Sequence, residues 1–102
     1  MQQREYPRLP FREHILVDGL HFCTSTDISE GGMFISAIQY FEEGSVVELS
    51  IPVREGKIEV KAQVKYAQAG IGAGVMFLDL TDEEAAGIRE LTKSQGSEEN
   101  ED

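Results

Sequence analysis

Hydrophobic and polar positions alternate in short runs along most of this chain, and turn residues separate the runs. From Phe11, FREHILV alternates loosely and ends at Asp18-Gly19, a pair favoured in type I′ hairpins because both residues tolerate positive φ. LHFCTSTDIS then has period two. Leu20, Phe22, Thr24, Thr26 and Ile28 share the face assigned to the core, and His21, Cys23, Ser25, Asp27 and Ser29 share the opposite, outer one. Glu30-Gly31-Gly32 turns into MFIS, and after a looser loop with Gly44, SVVELSI reads as a strand stopped by Pro52. Arg54-Glu55-Gly56 leads into the clearest alternation, KIEVKAQVKY, with Ile58, Val60, Ala62, Val64 and Tyr66 inward and Lys57, Glu59, Lys61, Gln63 and Lys65 outward. GIGAGVMFLDL is a sixth strand whose glycines suit a bend or a close backbone approach. Thr81-Asp82-Glu83-Glu84 is a capping box that starts a short helix with Ala85, Ile88 and Leu91 on one face. Six strands and a closing helix predict a mainly β protein, a small antiparallel barrel or sandwich with the helix over one opening.

The ends fall outside this pattern. Residues 1–10 read as a flexible arm, because Pro7 and Pro10 lack an amide donor and push Tyr6 and Leu9 toward extended geometry. Residues 11–93 form the domain, and 94–102 read as a polar, acidic, disordered tail.

Composition narrows the function. A chain of 102 residues with formal net charge −10 lacks the basic field that supplies most affinity for DNA, RNA or an anionic membrane. Any anionic ligand must therefore be caught by a local cluster. No apolar run reaches the ~20 residues that span a bilayer, and no signal peptide precedes the first strand, so membrane insertion is not expected. A single cysteine, Cys23, rules out an intramolecular disulfide and fits a reducing cytoplasm.

Catalytic constellations are sparse. Cys23, His14 and His21 are the available parts of a Cys–His nucleophile or metal cluster, and no second cysteine or HExxH spacing completes a site. They read as a semi-buried cysteine beside two surface histidines. Asp27 and Ser29 lack a triad histidine, and Glu42-Glu43 and Glu83-Glu84 read as solvated loop and helix-start charges. No enzyme, cofactor or metal site is expected. Lys57, Lys61 and Lys65 line one strand face, as a binder of single-stranded nucleic acid would require, but Glu59 interrupts them.

Two segments carry sharper chemistry. In D-I-S-E-G-G, Asp27 and Ser29 project from the same outer face, and Gly31-Gly32 leave the following backbone open to a flat ligand. A plain turn, with an Asx-type hydrogen bond and glycines for positive φ, is the structural alternative. Three of the chain's five arginines, Arg4, Arg8 and Arg12, fall within the first twelve residues, the first two of them on the arm. Arginine's planar fork binds phosphate bidentately, stacks on rings and pairs with guanine O6 and N7, while a carboxylate such as Asp27 can accept from guanine N1–H and N2–H₂. The parts describe a pocket for something flat, guanine-bearing and phosphorylated; a solubilising tail is the alternative for the arginines alone.

Arg4-Glu5-Tyr6-Pro7-Arg8, followed about twenty residues later by Asp27-Ile28-Ser29-Glu30-Gly31-Gly32, resembles the R-x-x-x-R and [D/N]-x-S-x-x-G signature of the PilZ domain family, bacterial receptors for cyclic di-GMP. G-I-G-A-G-V-M-F-L-D-L-T-D-E-E is similar to that family's last strand and its turn into a C-terminal helix, so the likeness runs from Arg4 to about Leu91. It implies a six-stranded antiparallel PilZ-type β-barrel with a short C-terminal helix. It also implies cyclic di-GMP as a ligand bound without turnover, held by Arg4, Arg8, Asp27, Ser29 and Gly32. Gln3 stands where many relatives carry another arginine, which favours one ligand per chain over an intercalated pair. The expected activity is that of an adaptor whose arm orders on the ligand and which signals through an unidentified effector protein. The alternative is a PilZ-like protein-interaction domain that does not bind nucleotide.

Overall fold

Six strands close on themselves, and a seventh, two residues long, extends the sheet at one edge. The computed structural model describes residues 9–54 and 56–100, the last seven of these by backbone alone. The strands are β1 (Leu9–Pro10), β2 (His14–Val17), β3 (His21–Ile28), β4 (Gly32–Ser36), β5 (Val46–Val53), β6 (Gly56–Gln68) and β7 (Gly72–Leu78), followed by helix α1 (Asp82–Asn100). All pairings are antiparallel, in the order β1-β3-β2-β5-β6-β7-β4, and a β3–β4 pairing closes the barrel.

Closure follows from alternation. Ile15, Val17, Leu49, Ile51, Val60, Val64, Met33 and Ile35 point from their strands into one core, each nearly inaccessible to solvent. The β2–β3 turn is built as its sequence requires: Asp18 and Gly19 have φ of 56° and 65°, and the Leu20 N–H donates to the Val17 carbonyl at 3.0 Å. Pro52 does not stop β5, which runs on to Val53. β2 pairs with β5 only at Ser50 and Leu49, so the amide that Pro52 lacks has no ladder partner to lose.

α1 starts on its capping box: the Glu84 N–H donates to Thr81 Oγ1 at 3.0 Å, and the Thr81 N–H donates to Glu84 Oε1 at 3.1 Å. Ile88 is buried against the barrel and Leu91 packs beside it, so the helix covers one opening. Its length differs from expectation. It continues through 94–100, a polar stretch read as a disordered tail, because each residue added to an existing helix gains a hydrogen bond without a new nucleation cost.

Leu9 and Pro10 also differ from the expected arm, since they pair with Ile28 and Asp27 as β1. β1 and β2 run along the same edge of β3, separated at residues 11–13. The buried Ser25 hydroxyl bridges that break, donating to the Phe11 carbonyl at 2.6 Å and accepting from the Glu13 N–H at 3.0 Å.

Candidate functional site

The face of β3 is inverted over its first half relative to the sequence reading. Phe22 is 78% exposed, whereas Cys23 and Ser25 are buried. A register shift between Ser25 and Asp27, where β3 meets β4, then inserts one extra residue and resets the alternation. Beyond it Ile28 is fully buried and Asp27 stands half-buried on the outer face, so Asp27 and Phe22 share a side of the barrel that strict alternation would deny them. Asp27 sits opposite Phe34 of β4, and its Oδ1 accepts the Phe34 N–H at 3.2 Å.

Ser29 lies inside the turn and not on the outer surface. Only 6% exposed, its Oγ accepts the N–H groups of Gly31 at 3.1 Å and Gly32 at 3.3 Å, while its own N–H donates to the Gly32 carbonyl at 2.8 Å. Neither Gly31 nor Gly32 has positive φ. Gly32 is required for a different reason: a Cβ there would overlap the carbonyl oxygen of Val75 on the neighbouring β7. The Gly31 carbonyl accepts the Phe77 N–H at 2.9 Å and fixes the turn to β7. Asp27, Ser29 and Gly32 are thus gathered within one short strand-turn-strand unit.

The outer face beside Asp27 carries an aromatic surface that the sequence reading missed. Tyr66, expected in the core, is 47% exposed, because β6 has its own register shift between Val64 and Tyr66. The Tyr66 ring lies 6.2 Å from that of Phe34, with planes 31° apart. Gly74 is opposite Tyr66, and a Cβ there would occupy the space of its ring; a Cβ at Gly72 would meet the Phe34 ring and the Ile35 carbonyl. The G-x-G spacing of β7 was the available signal: side chains are absent where the Phe34 and Tyr66 rings occupy the space of a Cβ.

Other candidates are not assembled into a reactive centre. The Cys23 thiol donates to the His21 carbonyl at 3.8 Å, and burial raises its pKa, which disfavours the nucleophilic thiolate. His21 is half-buried, not a surface residue. Its Nδ1 lies 2.9 Å from Gln39 Nε2, and its ring meets Phe41 edge-on at 5.7 Å. His14 is exposed. Among the described residues no three of His, Cys, Asp or Glu are grouped to hold a metal, and no helix is long and apolar enough to cross a membrane. On the β6 lysine face, Lys57 pairs with Glu59 at 3.3 Å.

Arg4 and Arg8 lie outside the described residues. What the structure does place is the chain just after them: Leu9 and Pro10 are zipped to Ile28 and Asp27, the strand that leads into the Ser29–Gly32 turn.

A family model for the PilZ domain matches residues 2–94, and the chain belongs to the PilZ domain family. Among solved structures it is similar to the PilZ domain of YcgR from Escherichia coli, with c-di-GMP, at a TM-score of 0.78 and 16% identity over 98% of this chain and 96% of that one. It is also similar to YcgR from Escherichia coli in complex with c-di-GMP, at a TM-score of 0.76 and 18% identity, covering 98% of this chain and 49% of that one. The chain thus spans about half of that longer protein, and at these identities the likeness is one of fold. No curated protein matches the sequence.

Proposed function

We propose that this chain is a receptor that binds cyclic di-GMP without turning it over, on the outer face formed by β3, β4, β6 and β7. The observation that carries this reading is the pairing of Leu9–Pro10 with Ile28–Asp27. It tethers the segment bearing Arg4 and Arg8 to the strand bearing Asp27. Family membership and the fold shared with two structures that contain c-di-GMP support the same reading.

The chemistry is complementary. Arg4 and Arg8 supply bidentate donors for phosphate and for guanine O6 and N7, Asp27 accepts from the guanine N1–H and N2–H₂, and the Phe34–Tyr66 surface offers an aromatic face to the base. Ser29 holds the turn in shape, and Gly32 lets β7 pack against it. The arm orders on the ligand, and the changed surface is read by an effector protein. Each charge-assisted hydrogen bond contributes ~1.5–3 kcal/mol, so several are required for the roughly −8 kcal/mol of micromolar binding.

Calorimetric titration of cyclic di-GMP into the wild-type protein and an Arg4→Ala/Arg8→Ala variant tests this. Binding that the variant loses supports the receptor, and the stoichiometry decides between one ligand and a pair. An absence of binding to the wild type would favour the second reading, a PilZ domain that binds protein alone. The observation on that side is the exposure of Phe22, Ile38 and Ile71 around one depression at the end of the barrel away from α1.

A further inference from the structure

An antiparallel sheet with one side in water carries polar residues on that side, as β6 does with Lys57, Glu59 and Lys61. The β2–β3 hairpin does not. Ile15, Val17 and Cys23 fill the core, yet Leu16 and Phe22, directly across from one another, are apolar on the outer side too. Phe22 is 78% exposed, and Leu20 in the adjoining turn is 68% exposed. Ile38, at 86%, and Ile71, at 56%, join Phe22 around a depression of about 600 Å³ at the end of the barrel away from α1. In a chain that is 27% charged, none of the described residues lining this depression carries a charge. Two strands apolar on both faces leave a second surface to be covered.

We infer that this end of the barrel is a self-association surface, on which a second copy of the chain packs the same patch across a two-fold axis. Area is the first argument. With ~100–200 Å² on each such side chain, Leu20, Phe22, Ile38 and Ile71 leave roughly 400 Å² of apolar surface open. A standard interface buries about 800 Å² per partner, and about two thirds of a homodimer interface is apolar, so this patch supplies most of such a core. Charge is the second argument. Two molecules of formal net charge −10 repel wherever their acids meet, and a two-fold contact sets each residue near its own copy. A patch lined without charge complements itself, whereas a charged partner finds nothing there to pair with. The inference goes beyond the receptor reading and does not depend on it, since the contact forms without nucleotide.

Sedimentation of four full-length proteins without nucleotide, over about 1 μM to about 1 mM, tests this: wild type, Phe22→Glu, Ile38→Glu and Ala86→Glu. Both target side chains are exposed, so the fold tolerates the change, and thermal denaturation confirms it. Ala86 is exposed on α1, at the other end of the barrel, and controls for one added negative charge. The expected result is a wild-type dimer whose dissociation constant rises by about tenfold or more in Phe22→Glu and Ile38→Glu, where two carboxylates face each other, and stays near wild type in Ala86→Glu. Raising salt from about 0.05 M to about 0.5 M should tighten the wild-type dimer, because it screens repulsion between the acidic bodies. A dimer that salt dissociates is held by ion pairs and overturns the inference. So does a dimer that both patch variants retain, or one that Ala86→Glu weakens equally. A wild-type protein that stays monomeric throughout overturns it as well, leaves the receptor reading untouched, and assigns the patch to an apolar surface on a different protein.

Discussion

Tyr66 stands against Phe34 across β7, 6.2 Å between ring centroids, and covers the bare backbone of Gly74. Two rings held this way on the outside of a barrel are poorly explained by core packing, since both side chains keep a solvent-facing surface. They form an aromatic floor, with planes 31° apart, beside Asp27, which pairs with Phe34 across β3 and β4. If a guanine base uses that floor, Tyr66→Ala weakens cyclic di-GMP binding by about 1–3 kcal/mol, roughly fivefold to 150-fold, and changes thermal stability little. Unchanged affinity in calorimetry would remove Tyr66 from the site.

Gly32 and Gly74 both lack room for a Cβ, but the obstacles differ. At Gly32 it is the Val75 carbonyl, fixed in the β4–β7 ladder; at Gly74 it is the far end of the Tyr66 side chain. Gly32→Ala is therefore expected to cost about 1–3 kcal/mol of stability, as overpacking does. In a domain of this size that lowers the melting temperature by roughly 4–8 °C per kcal/mol. Gly74→Ala is expected to cost less and to act on the ligand, because Tyr66 must swing away. Melting curves and titrations of the two variants should rank them in opposite orders.

Ser29 makes its hydrogen bonds to its own turn before any ligand arrives. Ser29→Ala leaves the N–H groups of Gly31 and Gly32 without that acceptor, at a cost of about 1–3 kcal/mol for buried donors. Urea denaturation without nucleotide measures this directly. A variant as stable as wild type would show that the hydroxyl is held for the ligand and not for the turn.

Burial raises the Cys23 pKa, so the folded chain prefers the protonated thiol more strongly than the unfolded chain does. The stability this contributes is complete below the ordinary thiol pKa and is lost as pH rises through the raised one. Cys23→Ala is expected to flatten the alkaline limb of a stability-versus-pH curve, and the native thiol to react slowly with a disulfide reagent until denaturant is added. Fast labelling of the native protein would contradict the buried thiol.

Much was legible in the linear order of residues. The Asp18-Gly19 turn, the Thr81–Glu84 capping box, the inward row Val60, Ala62 and Val64, and the grouping of Asp27, Ser29 and Gly32 in one motif all depend on neighbours a few positions away. Local sterics and period-two alternation encode such features directly. The hydrophobic core and the antiparallel barrel follow from them.

The faces of β3 and β6 did not follow. Each strand carries a register shift, and one inserted residue moves every later side chain to the other side of the sheet. Strict alternation therefore put Phe22 and Tyr66 in the core, and it placed Asp27 outside for a reason that does not apply. Gly32 was read as serving a turn or a ligand, whereas β7, more than forty residues later, decides it through the Val75 carbonyl. The sequence by itself determined the elements, the turns and the motif, because those are local. Tertiary structure alone decided which side chains share a surface, because bulges and close strand approaches arise only when distant segments pair.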